Sequence, residues 1–411
     1  MLGESASVSE AGPLPGANRL LSLDVLRGIA LFGILLVNMA FYSLPMFYYP
    51  PGYPQWQRPI DRHLDTLIHS SGDTEFLSLF SFLFGLGLAL QGSRAGSEKT
   101  ADRLFFRRIA VLLGFGLFHA LFVWMGDVLI WYAVAAVGLY FFRSVRTRTL
   151  LVAAILFFML EIILPEWRAL QSTGPSHSAE QLLYASKLQL VEKSLAVYAH
   201  GSYSEIFVRR AHDLWFQYSH QLDFLLHVFT LFLVGTYFGR KRIFQNLDKS
   251  RKLFVVMWNV GAVVGIGAHL LQYVLAHDGA PRSGTFTPVL GAVGDLALAA
   301  FYMASVILAM DQEGVAKMLA PLACAGRMTL TNYLGQSLIC TTLLYGYGFA
   351  LYGKLRPLDW LLWALAIYTL QVFLSVWWLR RFAYGPAEWL WRTLVYGKPI
   401  PMRLPEPVLL P

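Results

Sequence analysis

Ionisable side chains recur inside long apolar runs of this sequence, where charge is expensive and needs a cavity or a partner. Asp24 and Arg27 are three residues apart, and Arg27 and Asn38 eleven, so a helix sets all three on roughly one face. The Asp–Arg pair either neutralises itself at a membrane boundary or helps to hold an anion. His119 lies in the run Phe115–Leu121, whose other members are apolar or glycine. It is either a satisfied packing residue or the poised base of a site. Asp127 follows it, as the carboxylate partner of the imidazole or as the N-cap of the next helix. Asp223 and His227 are four apart, with His220 on the same face, so the Asp223 carboxylate is expected to orient the His227 ring as a second-choice base. A zinc ion would need a further ligand that this spacing does not supply, and no metal is expected. His269, Asp295, Asn332 and Gln336 are expected to line the same polar cavity. For Asn332 and Gln336, with Thr329 nearby, interhelical hydrogen bonding is an equally good account.

These residues are carried by apolar segments. The chain has 411 residues, 56% hydrophobic and only 14% charged, against about 25% charged in a soluble domain. About 20 apolar residues cross a bilayer core. Runs of that kind occur near 22–43, 75–91, 106–124, 128–142, 149–165, 221–239, 253–276, 289–310, 324–347 and 358–379. The expected fold is therefore all-α, a polytopic integral membrane protein with about ten transmembrane helices. Alternate loops carry most of the Lys and Arg, most densely at Arg240, Lys241, Arg242, Lys249, Arg251 and Lys252. That bias predicts both termini inside, in a bacterial inner membrane. The net charge of +8 is spread over these short clusters and forms no continuous patch, which argues against a nucleic-acid partner. Cys324 and Cys340 both fall in the 324–347 run and read as neither a disulfide framework nor a metal knuckle.

Residues 1–18 read as a disordered cytoplasmic tail without the basic start of a signal peptide. A five-helix part is expected over 19–165, then an extracytoplasmic segment over 166–220 with one or two amphipathic helices. A second five-helix part over 221–395 would end in an interfacial anchor built on Trp389, Trp391 and Arg392, before a tail at 396–411. Gly261 and Gly265 mark close helix packing, and Ser81–Gly87 echoes Leu231–Tyr237 weakly. No phosphate-binding glycine loop, nucleophile elbow or HExxH pattern is present, which argues against an ATPase, a serine hydrolase or a zincin.

Five blocks in order resemble the YeiB-like family of bacterial membrane proteins: Leu23-Asp24-Val25-Leu26-Arg27-Gly28, Ser78–Gly87 (SLFSFLFGLG), Arg107–Tyr132, Gly326–Ser337 (GRMTLTNYLGQS) and Tyr384–Arg392 (YGPAEWLWR). That family carries a domain-of-unknown-function label and a loose suggestion of transport. The LDxLRG opening also looks like membrane acyltransferases that modify cell-surface sugars, and like the lysosomal heparan glucosaminide acetyltransferase. This more distant likeness implies an acyl group taken from a cytoplasmic thioester and delivered to an acceptor across the membrane. The sugar-modifying enzymes carry an active histidine where this chain has Asn38. The heparan enzyme has its histidine in the following loop, where Phe47-Tyr48-Tyr49-Pro50 here has none, so another base is required.

Two functions follow as expectations. In the first, Arg27 and Arg327, with Asp24, hold the phosphates of acyl-CoA, His119 with Asp127 deprotonates a cell-envelope acceptor, and Asn38 donates to the oxyanion. Acyl-CoA would be a co-substrate, with no tightly bound cofactor and membrane lipid as the surrounding partner. In the second, the same buried groups bind a small polar solute or relay protons in a transporter. Oligomeric state is not legible.

Overall fold

The computed structural model describes residues 21–50, 53, 55–92, 98–171, 177–277 and 286–404. The tails expected at 1–18 and 396–411 lie outside these residues, apart from the start of the second. The chain is an all-α polytopic membrane protein, with no β-strand among the described residues. Its first half contains α1 (Leu21–Ser43), α2 (Pro59–Gly72), α3 (Glu75–Gly92), α4 (Glu98–Phe118), α5 (Leu129–Tyr140), α6 (Thr147–Gln171), α7 (His177–His200) and α8 (Tyr203–His220). The second half contains α9 (Leu222–Arg240), α10 (Leu247–Gly261), α11 (Gly267–His277), α12 (Phe286–Ala309), α13 (Glu313–Arg327), α14 (Thr329–Leu344), α15 (Pro357–Leu379) and α16 (Pro386–Tyr396).

Among the described residues, eight helices are long and apolar enough to cross a membrane, against the ten expected. Two of the expected runs account for the difference. The run at 128–142 yields α5, which has 12 residues; at about 1.5 Å per residue it falls short of the hydrocarbon thickness. The run at 324–347 is not one helix but two. Helix α13 ends at Arg327, Met328 leaves helical geometry (φ −110°, ψ 34°), and α14 starts at Thr329. Cys324 and Cys340 therefore sit on different helices.

A carboxylate from the far end of the chain holds that break. Glu388 on α16 accepts hydrogen bonds from the backbone N–H groups of Leu330 (2.6 Å) and Thr331 (3.1 Å) and from the Thr331 hydroxyl (2.5 Å). It satisfies donors that open α14 and places negative charge at the positive end of the helix dipole. Burial raises the Glu388 pKa above the ordinary carboxylate value, while the bonds from Thr331 and Leu330 act against that rise. Glu388→Ala is expected to destabilise the protein by about 1–3 kcal/mol, because two buried N–H groups lose their acceptor. Glu388→Gln keeps an acceptor oxygen, so the midpoint of thermal unfolding in detergent should fall clearly less for Gln than for Ala.

Glycines set the closest crossings. A methyl at Gly235 on α9 would overlap the Phe82 carbonyl oxygen on α3, and one at Gly85 would meet the Phe232 carbonyl at 2.5 Å. The weak echo between Ser81–Gly87 and Leu231–Tyr237 thus consists of two segments that pack on one another. Gly261 and Gly265 meet Ala297 and Leu298 of α12 in the same way. Within the 166–220 stretch the end of α6 is followed by α7 and α8, with Ser202 and Glu205 making a reciprocal capping box that starts α8.

Candidate functional site

Helix α4 does not end in a regular turn. His119–Val123 forms a π-helical turn, Trp124 is extended, and the chain reverses through Met125-Gly126-Asp127 before α5. Such turns are frequent at functional sites. The reversal carries Asp127 back to His119, whose Nδ1 lies 2.7 Å from Asp127 Oδ2, with both side chains fully buried. The other oxygen, Oδ1, accepts the Ile130 N–H at 2.8 Å. Asp127 is thus both helix cap and imidazole partner. An ionised carboxylate can only accept, so this bond keeps the ring proton on Nδ1 and presents the Nε2 lone pair. Nε2 has no hydrogen-bond partner among the described residues. The ring packs beside Tyr333 and Trp124, with centroids 5.1 and 6.3 Å away.

A second layer braces this turn from α8, and it was missed in the sequence. Arg210, fully buried, donates from Nη1 to the Leu121 carbonyl at 2.9 Å. Arg209 pairs with Asp213 at 2.9 Å, and Asp213 also accepts from the hydroxyls of Tyr48 and Tyr198. Charges at helical spacing in an amphipathic stretch read as a solvated face; here that face is turned inward.

Asp24 and Arg27 form the expected pair, Nη1 to Oδ1 at 2.7 Å. Gly326 lies directly against the Asp24 backbone, so Arg327 belongs to the same end of the α1–α13 crossing. Asn38 is half-buried and makes no hydrogen bond to His119 or Asp127 among the described residues. Asn332 and Gln336 are engaged between helices. The Asn332 amide donates to Ala325 O and Ser375 Oγ, Gln336 donates to Gln371 Oε1 at 2.9 Å, and Gln371 donates to the Asn332 carbonyl. Of their two readings, the structure carries the interhelical one.

The expected pairing of Asp223 with His227 does not form. Asp223 stands at the start of α9, half-exposed, and faces Arg168 at 3.8 Å. Because α6 runs along α9, it brings Glu161 to His227 instead, with Nδ1 to Oε1 at 2.8 Å. Across the ring, His227 Nε2 lies 2.8 Å from Ser78 Oγ on α3. One turn earlier on α3, the buried Glu75 lies 3.2 Å from His269 Nε2, which is 3.5 Å from Asp295. Glu75, His269 and Asp295 offer donor atoms within 4.8 Å of one another and could hold a divalent ion. Their spacing in sequence concealed this, since each comes from a different helix. A crevice of about 540 Å³ is lined by His269 together with His63, Leu67, Leu270, Phe301 and Tyr302 among others. The missed signal was a lone carboxylate, Glu161, inside the apolar run 149–165.

Comparison with known proteins places these features in context. Residues 238–398 match a family described as a protein of unknown function, DUF418. The chain is 33% identical over 391 residues to the uncharacterized protein YxaH of Bacillus subtilis, covering 91% of this chain and 93% of that protein. It is 30% identical over 394 residues to the uncharacterized protein YeiB of Escherichia coli, covering 92% and 96% respectively.

Proposed function

The chain belongs to the YeiB-like DUF418 family of membrane proteins, and on that premise we propose that it is a transmembrane acyltransferase of the bacterial inner membrane. The observation that carries this reading is the His119–Asp127 pair, with Nδ1 held at 2.7 Å and Nε2 without a hydrogen-bond partner among the described residues. A general base needs its lone pair free and its ring fixed, and a buried carboxylate on the opposite nitrogen provides both. Arg27, oriented by Asp24, and Arg327 supply guanidinium groups for the phosphates of a cytoplasmic acyl-CoA. The acceptor is a hydroxyl or amine of the cell envelope. Its proton passes to His119 Nε2 as its oxygen or nitrogen attacks the thioester carbonyl. The new C–O or C–N bond forms, the C–S bond breaks, and the released thiolate takes that proton back from Nε2. The Asn38 amide, uncommitted among the described residues, is available to the oxyanion.

Titration of the purified protein in detergent with acetyl-CoA and longer acyl-CoAs tests the donor site. Saturable binding is expected, weakened about tenfold or more in Arg27→Ala, since one charge-assisted phosphate contact contributes about 1.5–3 kcal/mol. Absence of binding by every acyl-CoA would overturn the reading. A second reading, transport of a small polar solute, is favoured by the Glu75–His269–Asp295 group, whose His269 lines the crevice. Solute uptake into protein-only liposomes without acyl donor would select it.

A further inference from the structure

The Ser78–His227–Glu161 chain has the connectivity of a nucleophile, its base and the group that orients the base. We infer that these residues form a serine-based acyl-transfer centre, separate from the His119–Asp127 pair, at which Ser78 accepts an acyl group from an activated ester or thioester. The inference does not rest on the function proposed above.

Geometry is the first support. Ser78 Oγ lies 2.8 Å from His227 Nε2, and His227 Nδ1 lies 2.8 Å from Glu161 Oε1. Each distance is within the range needed for proton transfer, and the two ring nitrogens are used in opposite senses. The carboxylate accepts the Nδ1 proton, so Nε2 holds the lone pair directed at the hydroxyl.

The competing explanation is a buried histidine satisfied by its neighbours. A backbone carbonyl would satisfy an Nδ1–H at far lower cost than an ionised carboxylate within a membrane helix bundle. A carboxylate is needed where the ring must become positively charged. Ser78 shares with Ser81 and Ser337 a bond to another helix, but among the described residues it alone of the three meets a histidine. Ser43, Ser194 and Ser305 each donate to the carbonyl four residues earlier at 2.7 Å. The Ser78 hydroxyl instead reaches across to α9.

Ser78 itself is buried, and an apolar crevice lies nearby. This crevice, beside α2, α11 and α12, is lined in part by His269, which touches Glu75, one helical turn before Ser78. Its walls carry Leu67, Leu270 and Phe301, which suit an acyl chain. No motif revealed this centre, because the nucleophile elbow belongs to strand-to-helix turns and these three residues come from three helices.

Ser78 Oγ attacks the carbonyl carbon and passes its proton to His227 Nε2 as the Oγ–C bond forms. The bond from that carbon to the leaving sulfur or oxygen breaks, and Nε2 returns the proton to the leaving group. Glu161 holds the ring through Nδ1, stabilises the transient imidazolium and acts as a positioning residue. Water or an alcohol then removes the acyl group by the reverse sequence.

The test uses the full chain in detergent, with a fluorophosphonate that phosphonylates activated serines and with p-nitrophenyl acetate as a small acyl donor. Expected are a phosphonylated Ser78 in peptide mass spectrometry and an acetyl ester on the same residue, both absent in Ser78→Ala. His227→Gln is expected to slow acylation about 100-fold or more. Glu161→Gln is expected to lower the acylation rate at saturating ester with KM unchanged, a split that loss of packing alone would not produce. His119→Gln should label like the parent protein, so this centre and the acyl-CoA reading can fail separately. No modification of Ser78 by either reagent in protein that elutes and melts as folded would overturn the inference, as would equal labelling in His227→Gln.

Discussion

His119→Gln is expected to lower acyl transfer from acyl-CoA by about 100- to 10,000-fold, the range for removal of a general base. Glutamine is similar in reach and can still donate to Asp127 Oδ2, so the fully buried site keeps its shape. What disappears is the Nε2 lone pair. Asp127→Asn probes the same pair from the other side. Its carbonyl oxygen can keep the Ile130 cap, leaving the α5 terminus intact. Its NH2 group then faces Nδ1, which must accept rather than donate, so the ring proton moves to Nε2 and the base is blocked. Both variants should bind acyl-CoA like the parent while losing turnover. Single-turnover transfer of a radiolabelled acyl group would measure this, and a His119→Gln protein that transfers at the parent rate would exclude His119 as the base.

Gly326→Val carries the largest expected effect on stability. A methyl at this position would overlap the Asp24 carbonyl oxygen and sit 2.9 Å from the Gly28 backbone nitrogen. These are backbone atoms of a packed helix, so no side chain can swing aside and α1 must move away from α13. Inserting carbon into a packed interior typically costs about 1–3 kcal/mol, and a valine forced against backbone belongs at or above the upper end. The displacement also separates Asp24 and Arg27 from Arg327, so acyl-CoA binding should weaken along with the melting temperature. Gly87 is the control. No atom lies within 4 Å of a Cβ placed there, and Gly87→Ala should leave both measurements unchanged. A Gly326→Val protein with parental melting behaviour would show that the α1–α13 crossing is not as tight as described.

Several site features were legible before any coordinates, and they share a physical character. His119 with Asp127 and Asp24 with Arg27 are pairs close along the chain, where a helix or a tight turn limits the geometry to a few outcomes. His227 shows the limit of that logic. The i,i+4 spacing permits a bond from Asp223, but a partner on α6 took the imidazole, and spacing within one helix says nothing about its neighbour. The same limit hid Ser78, Glu75 and the buried Arg210.

Composition and the length of the apolar runs by themselves determined that this is a helical membrane protein, because transfer of side chains and backbone into lipid depends on local sequence. They also determined where the eight long apolar helices among the described residues lie. Tertiary structure decided where apolar length stops making a span, at the 12-residue α5 and at the Met328 break capped by Glu388. It alone decided which helix faces meet, through glycine contacts at Gly85, Gly235 and Gly326 that bring backbones together. The α3–α9 contacts set Ser78 beside His227, while Glu161 joins them from α6 and the Glu75–His269–Asp295 group draws on α3, α11 and α12. Hydrophobicity is a property of each segment, whereas a site built across helices depends on rotations and crossings that packing of the whole bundle settles.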